Sequence, residues 1–183
     1  MGEIVLASRN RGKIREIQEF LKHLKLNVLS LHDFPDLPEL PEEGETYQEN
    51  AYQKACLAAE WTRKAALADD SGLEVEALGG APGVRSARFL GEKTPQEWKN
   101  RRLLKLLEGV PPEGRGARFV CVLAIVTPEG SKFLCEGVCS GRVAHDMRGE
   151  GGFGYDPIFF LPSYRATMAE LDIFPKNRIS HRG

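Results

Sequence analysis

Short apolar runs alternate along this chain with segments whose apolar positions recur every three or four residues, so strands and helices are expected to take turns. Residues 3–7 predict a strand. From residue 11 to 24 the apolar positions Ile14, Ile17, Phe20, Leu21 and Leu24 share one helical face, and residues 27–31 predict a second strand. A βαβ unit therefore opens the chain. The segment DFPDLPELPEEG (33–44) is a loop, because Pro35, Pro38 and Pro41 exclude a helix interior. Residues 46 to about 64 predict a helix with Tyr47, Ala51, Ala55, Ala58 and Trp61 on one face. Asn50 and Lys54 lie on the opposite, polar face. Residues 65–68 predict a short strand that ends in the turn DDSG, and residues 73–78 resume before the loop GGAPG.

In the second half, Thr94, Pro95 and Glu97 have the form of an N-cap, a first-turn proline and a capping-box acid, opening a helix to about residue 108. Residues 117–127 are almost continuously apolar, as in a strand buried on both faces. Pro128, Glu129 and Gly130 turn the chain back, and residues 132–144 are its hairpin partner. A glycine-rich stretch, RGEGGFGYDP, precedes a last short strand at 157–161 and a helical turn at 168–172. There is no internal repeat and no interdomain linker, so residues 1–183 read as a single α/β domain.

Composition and charge narrow the function classes. No apolar stretch approaches the roughly 20 residues that span a bilayer, and the N-terminus has the reverse of a secretory order. A soluble, cytoplasmic protein with no membrane partner is expected. Lys plus Arg number 25 and Asp plus Glu 26, for a net charge of −1, which disfavours a surface built to grip nucleic acid but leaves room for a local basic pocket. The four cysteines, Cys56, Cys121, Cys135 and Cys139, are too few for a disulfide scaffold and lack the spacing of a metal site, so they read as reduced thiols.

Several segments could carry chemistry. SRNRGK (8–13) lies where a strand delivers a loop to a helix N-terminus, a setting that favours an anion; Ser8 and Asn10 add neutral donors and Lys13 adds charge. A plain helix cap with a solvated lysine fits the same residues. Asp69 and Asp70 put two carboxylates side by side, either to hold Mg²⁺ and orient water or to shape a turn with Ser71 and Gly72. Any one of Glu39, Glu42, Glu43 and Glu45 could be a second hard-oxygen ligand. GGFGYDP (151–157) offers aromatic rings for stacking on a nucleobase, or simply core aromatics beside a tight turn. KNRISHR (176–182) is either a binding segment or a solvated basic tail.

Taken in order, the motifs S-x-N-x-x-K (Ser8, Asn10, Lys13), E-x-x-x-x-N-A-x-x-K-A (Glu45, Asn50, Lys54), D-D-S-G-L (69–73), G-G-x-P-G-x-x-S-A-R-F (79–89), G-G-F-G-Y-D-P (151–157) and S-H-R (180–182) resemble the inosine triphosphate pyrophosphatase family, also termed Ham1-like, over nearly the whole chain. That resemblance implies two α/β lobes around a long central mixed β-sheet with flanking helices, an active site in the interlobe cleft, and a homodimer. It implies Mg²⁺-dependent hydrolysis of ITP, dITP and XTP to the monophosphate and pyrophosphate. By motif position it makes Asp70 the general base and, with Glu42, a metal ligand. It assigns the triphosphate to Ser8, Arg9, Asn10, Arg11, Gly12, Lys13 and Lys54, and puts Ser71 against substrate. The base pocket falls to Phe153, Gly154, Tyr155, Asp156, Lys176, His181 and Arg182. The competing readings are a nucleotide-binding sensor without turnover and a Maf-type pyrophosphatase, although SRNRGK lacks the latter's S-x-x-R-R pattern.

Overall fold

The opening βαβ unit is present in the computed structural model, which describes residues 2–183. Strand β1 (Gly2–Leu6) and strand β2 (Leu26–Ser30) pair in parallel, Gly2 opposite Leu26 and Leu6 opposite Ser30. Parallel neighbours need a crossover, and helix α1 (Arg11–Leu21) supplies it. The helix stops before Leu24: the Leu24 N–H closes a turn onto the Leu21 carbonyl at 2.9 Å and leaves its side chain exposed.

Helix α2 (Tyr47–Thr62) begins where expected. Strand β3 (Ala65–Val75) overturns one expectation, because DDSG is no turn but the middle of a single long strand, with β1 pairing in parallel beside its first residues. A strand tolerates two buried carboxylates only where their charges are met by partners, and those partners come from elements distant in sequence. The remaining elements are α3 (Gln96–Leu106), β4 (Gly116–Val126), β5 (Lys132–Val143), β6 (Phe159–Leu161), β7 (Ala166–Thr167) and α4 (Ile173–Ile179). The strands form one seven-stranded sheet in the order β2-β1-β3-β4-β5-β6-β7, mixed because β1 pairs in parallel and β6 pairs antiparallel with β5 and β7. The expected α/β class with flanking helices is observed.

The chain divides into two compact units, one reaching as far as Asp70 together with Cys121–Glu136, the other Ser71–Val120 with Gly137–Gly183. In the first, Ile14 and Ile17 of α1 bury against Ile4, Leu6 and Leu67. In the second, Leu73, Val75, Leu103, Phe119, Ile158, Phe159 and Met168 make the core, with the Phe119 and Phe159 rings 4.5 Å apart. Each fully buried aliphatic or aromatic side chain in such a core contributes about 1.5–3 kcal/mol.

Two further expectations are corrected in the second unit. Helix α3 has no capping box: Pro95 holds the N-cap position, and the Thr94 hydroxyl donates back to the Leu90 carbonyl at 2.6 Å. The basic tail is not solvated. Residues 173–179 form α4, and Lys176, Asn177, Ser180, His181 and Arg182 are all buried. The His181 imidazole stacks on Phe119 at 4.7 Å, and its backbone carbonyl comes so close to Gly137 that a Cβ there would lie 2.0 Å from the oxygen. Gly137→Ala is therefore expected to destabilise the protein by about 1–3 kcal/mol by forcing the 180–182 segment off β5. Thermal unfolding measures it, and an unchanged Tm would show that the close approach is not required.

Candidate active site

Ser8 and Asn10 shape the loop between β1 and α1. The Asn10 side-chain oxygen caps the helix by accepting from the Gly12 N–H at 2.9 Å and the Lys13 N–H at 3.2 Å, and the Ser8 hydroxyl accepts from the Asn10 N–H at 3.1 Å. Arg9 turns away to tie down the proline-rich segment, donating to the carbonyls of Leu31 at 3.4 Å and Leu37 at 2.8 Å. Arg11 is exposed at the first helical residue. Lys13 points back into the fold and pairs with Asp69.

The buried charges of the first unit are set by where α2 begins. Thr46 and Glu49 cap each other's backbone amides, with the Glu49 N–H to Thr46 at 3.1 Å and the Thr46 N–H to Glu49 at 3.2 Å. One turn later Asn50 and Lys54 share a face. That face is polar, as the sequence predicts, but it is buried. The Asn50 oxygen accepts from the Gly44 N–H at 2.8 Å, and its amide donates to Asp70 Oδ2 at 3.1 Å. The Lys54 ammonium donates to Glu42 Oε1 at 2.6 Å, to the Asp69 carbonyl at 2.8 Å and to Asp70 Oδ1 at 3.3 Å. Within the acidic loop, Glu39, Glu43 and Glu45 are exposed, and the half-buried Glu42 is the acid that meets Lys54.

The pair is electrostatically unequal. Burial pushes the Asp70 carboxyl above the usual carboxylate range; Lys54 and Lys13 pull it down without fully offsetting burial and the nearby Glu42. Burial alone would lower Lys54, but Asp70, Glu42 and Asp69 together outweigh it and hold the ammonium above its ordinary value. The group is charged, and its acids carry the excess of negative charge. Two hard-oxygen carboxylates converging on one cation suit Mg²⁺, which takes one or two carboxylates and draws its other ligands from phosphate and water. Among the described residues no group of three or more His, Cys, Asp or Glu side chains is disposed around a metal site, so a bound ion would depend on such outside ligands.

A second cluster lies in the other unit. The Arg182 guanidinium donates to the Ser71 hydroxyl at 2.6 Å and sits 5.3 Å from the Phe153 ring centre; Lys176 sits 5.0 Å from the same ring. Lys176 donates to Asp156 Oδ2 at 2.6 Å, and the same oxygen accepts from the Phe153 N–H at 2.8 Å. The loop thus holds Phe153 beside two cations, Lys176 fixed by Asp156 and Arg182 held at Ser71. Tyr155 is core: its hydroxyl donates to the Ser86 carbonyl at 2.9 Å and burial pushes the phenol up. The Gly154 carbonyl accepts from Asn100 at 3.1 Å. His181 turns its ring to Phe119.

Asp69 and Asn50 belong to the first cluster, although the family resemblance assigns neither a role. Asn50 was visible there as sharing a face with Lys54. Asp69 was visible as the second acid of a pair, but adjacent strand residues point oppositely, so the spacing offered only one of the two to any site.

Fold and site define a mixed-sheet α/β protein with a buried lysine–carboxylate cluster beside a strand-to-helix loop. A family model described as the Ham1 family matches residues 4–183, and the chain belongs to that family. The chain is similar to proteins named dITP/XTP pyrophosphatase from Desulforamulus reducens, at 53% identity over 99% of this chain and 90% of the relative, and from Geobacter sulfurreducens, at 51% over 100% and 92%. Its fold is similar to a solved HAM1 protein from Coxiella burnetii, with a TM-score of 0.89 and 44% identity over 100% of this chain and 93% of that one.

The raised Asp70 pKa fixes the sign of a pH effect. Asp70 contributes stability that is fully present below its unfolded value of about 3.9 and is lost as pH rises through the higher folded value. The stability of Asp70→Asn relative to the wild type is therefore expected to rise as pH increases from about 3.9 through the higher folded value. Paired melting curves across that range measure it; a difference that falls with pH would contradict the assignment of burial as the dominant influence.

Proposed function

We propose that this chain hydrolyses the α–β anhydride of non-standard purine nucleoside triphosphates, dITP, XTP and ITP, to the monophosphate and pyrophosphate. The observation that carries the reading is the buried cluster in which Glu42 and Asp70 converge on Lys54. The names of the relatives, dITP/XTP pyrophosphatases, support the same substrate class. A triphosphate brings about four negative charges to a protein of nearly zero net charge, so the positive field must be local. Lys13, Lys54 and the loop of Ser8, Arg9, Asn10, Arg11 and Gly12 would supply part of it, and the Mg²⁺ that Glu42 and Asp70 would hold would offset the excess of acid in the cluster. Asp70 takes the proton of the attacking water; a carboxyl held above the usual range is a better base near neutral pH than an ordinary aspartate. Glu42 and Asp70 are the residues that would hold Mg²⁺, which when bound neutralises the pyrophosphate leaving group.

Phe153, Asp156, Lys176 and Arg182 take the base and Ser71 lies against the substrate, while Gly154, Tyr155 and His181 hold that pocket in place from behind. Hypoxanthine and xanthine carry an oxygen at C6 that accepts a hydrogen bond, whereas adenine presents an amino group. Arg182 and Lys176 carry only donors, so they match the oxygen and oppose the amine; guanine shares that oxygen, and its rejection would rest on its 2-amino group. A homodimer, which the family resemblance supports, and a cytoplasmic location complete the proposal.

Pyrophosphate release from a panel of nucleoside triphosphates with Mg²⁺ tests the reading. dITP and XTP are expected to exceed ATP and GTP by at least about 10²-fold in kcat/KM. Chelation of the metal is expected to abolish turnover. Comparable ATP and XTP rates would overturn the selectivity, tight binding without pyrophosphate release would make the protein a sensor, and a preference for pyrimidine nucleotides would favour a Maf-type enzyme. On the preferred substrate, Asp70→Asn is expected to lower kcat by about 10²-fold or more with KM within about tenfold; wild-type turnover would remove Asp70 from the chemistry.

A further inference from the structure

Asp69 stands outside the chemistry proposed for its neighbour, yet it is the more deeply committed of the two. Its side chain is 1% exposed, and a carboxylate so buried persists only when its charge is met. Three groups from three separate elements meet it. Lys13 of α1 pairs with Oδ1, the Cys121 thiol of β4 donates to Oδ2 at 3.3 Å, and Lys54 of α2 donates to its backbone carbonyl at 2.8 Å. Both lysines assigned to phosphate therefore converge on one residue.

We propose that Asp69 is a positioning residue for the phosphate-binding lysines, and that the Cys121 thiol fixes the carboxylate that aims Lys13. The inference rests on the reading that Lys13 binds phosphate. A lysine side chain has four rotatable carbons and loses much freedom when held. Lys13 carries three N–H donors, and its side chain is 15% exposed, so it can keep Asp69 and still offer a proton to an anion. Pre-setting it removes part of the ordering cost of binding. The opposite view is that Asp69 merely neutralises Lys13 and weakens its field. The two differ in sign: removing the carboxylate weakens anion binding if Asp69 positions, and strengthens it if Asp69 only screens. Cys121 is the one polar side chain in the buried run VCVLAIV, residues 120–126. A valine would fill that site but could not donate.

The test uses the full-length enzyme. It measures the Kd of pyrophosphate with Mg²⁺ by calorimetry, and kcat and KM on dITP. Asp69→Asn keeps the carbonyl that receives Lys54 but loses the charge that holds Lys13. It is expected to raise KM and the pyrophosphate Kd together by about tenfold with kcat within about threefold, the scale of a weakened charge-assisted contact. In a Lys13→Met background the same change is expected to add less than about twofold, because it acts through Lys13. Cys121→Val is expected to raise KM about threefold, and Cys121→Ser, which restores a donor, to recover it. Tighter pyrophosphate binding by Asp69→Asn, or a full additional loss on Lys13→Met, overturns the proposal. Should Asp69→Asn fail to fold, equal KM values for Cys121→Val and Cys121→Ser overturn it instead. A wild type that binds pyrophosphate but hydrolyses no purine triphosphate would refute the enzymatic reading and leave the positioning test intact.

Discussion

Burying an ionised carboxylate costs several kcal/mol unless an opposite charge and hydrogen bonds meet it, and the first unit is organised around that constraint. Asp69 and Asp70 lie inside β3 and are buried, so bulk water cannot solvate both charges. Lys13, Lys54, Asn50 and Cys121 answer them from α1, α2 and β4. The placement of each element follows. The Asn10 cap starts α1 so that Lys13 falls on its inner side, and the Thr46–Glu49 capping box starts α2 so that Asn50 and Lys54 face β3. Asn50 also holds the Gly44 backbone from both sides, which brings Glu42 within reach of Lys54.

The same accounting explains why the cluster suits catalysis as well as stability. Lys54 spends its three donors on Glu42, Asp69 and Asp70, and its charge is secured by three acids. Asp70 is under-compensated, because its neighbours do not fully offset burial. A site that leaves a carboxylate short of positive charge is predisposed to take up a cation or a proton. The folded protein tolerates that deficit because packing elsewhere is ample, with Ala51, Ala55, Val5 and Leu6 fully buried in the same unit.

In the second unit the constraint is steric. Gly137 lets the His181 carbonyl approach β5, and the imidazole then stacks on Phe119. With that segment held, Arg182 reaches Ser71 and lies beside Phe153. Ser86 has a matching structural part: its hydroxyl accepts from the Leu73 N–H at 2.8 Å while its carbonyl receives Tyr155. The G-G-x-P-G-x-x-S-A-R-F and G-G-F-G-Y-D-P motifs are thus joined through the backbone. Tyr155 serves packing, and Phe153, half-buried, is the aromatic of that loop that stays partly accessible.

The sequence by itself determined the elements whose stability is local. Apolar spacing in α1, the Thr46 start of α2, the unbroken apolar run of β4 and the glycine-rich 149–154 loop each follow from side chains within a turn or two of one another. The order of motifs also marked the family and the residues Asp70, Lys13 and Lys54. Tertiary structure decided what depends on partners far along the chain. DDSG reads locally as a turn, since aspartate, serine and glycine all favour turns; its place in a strand set between β1 and β4 and charges from two helices make it strand. KNRISHR reads locally as either a binding segment or a solvated tail, and only the space above Gly137 and the ring of Phe119 decide that it is buried. Residue chemistry alone did not tell Glu42 from its acidic neighbours, because charge in a loop carries no direction of its own; the family resemblance picked it out, and α2 gives the physical reason by bringing Lys54 to it.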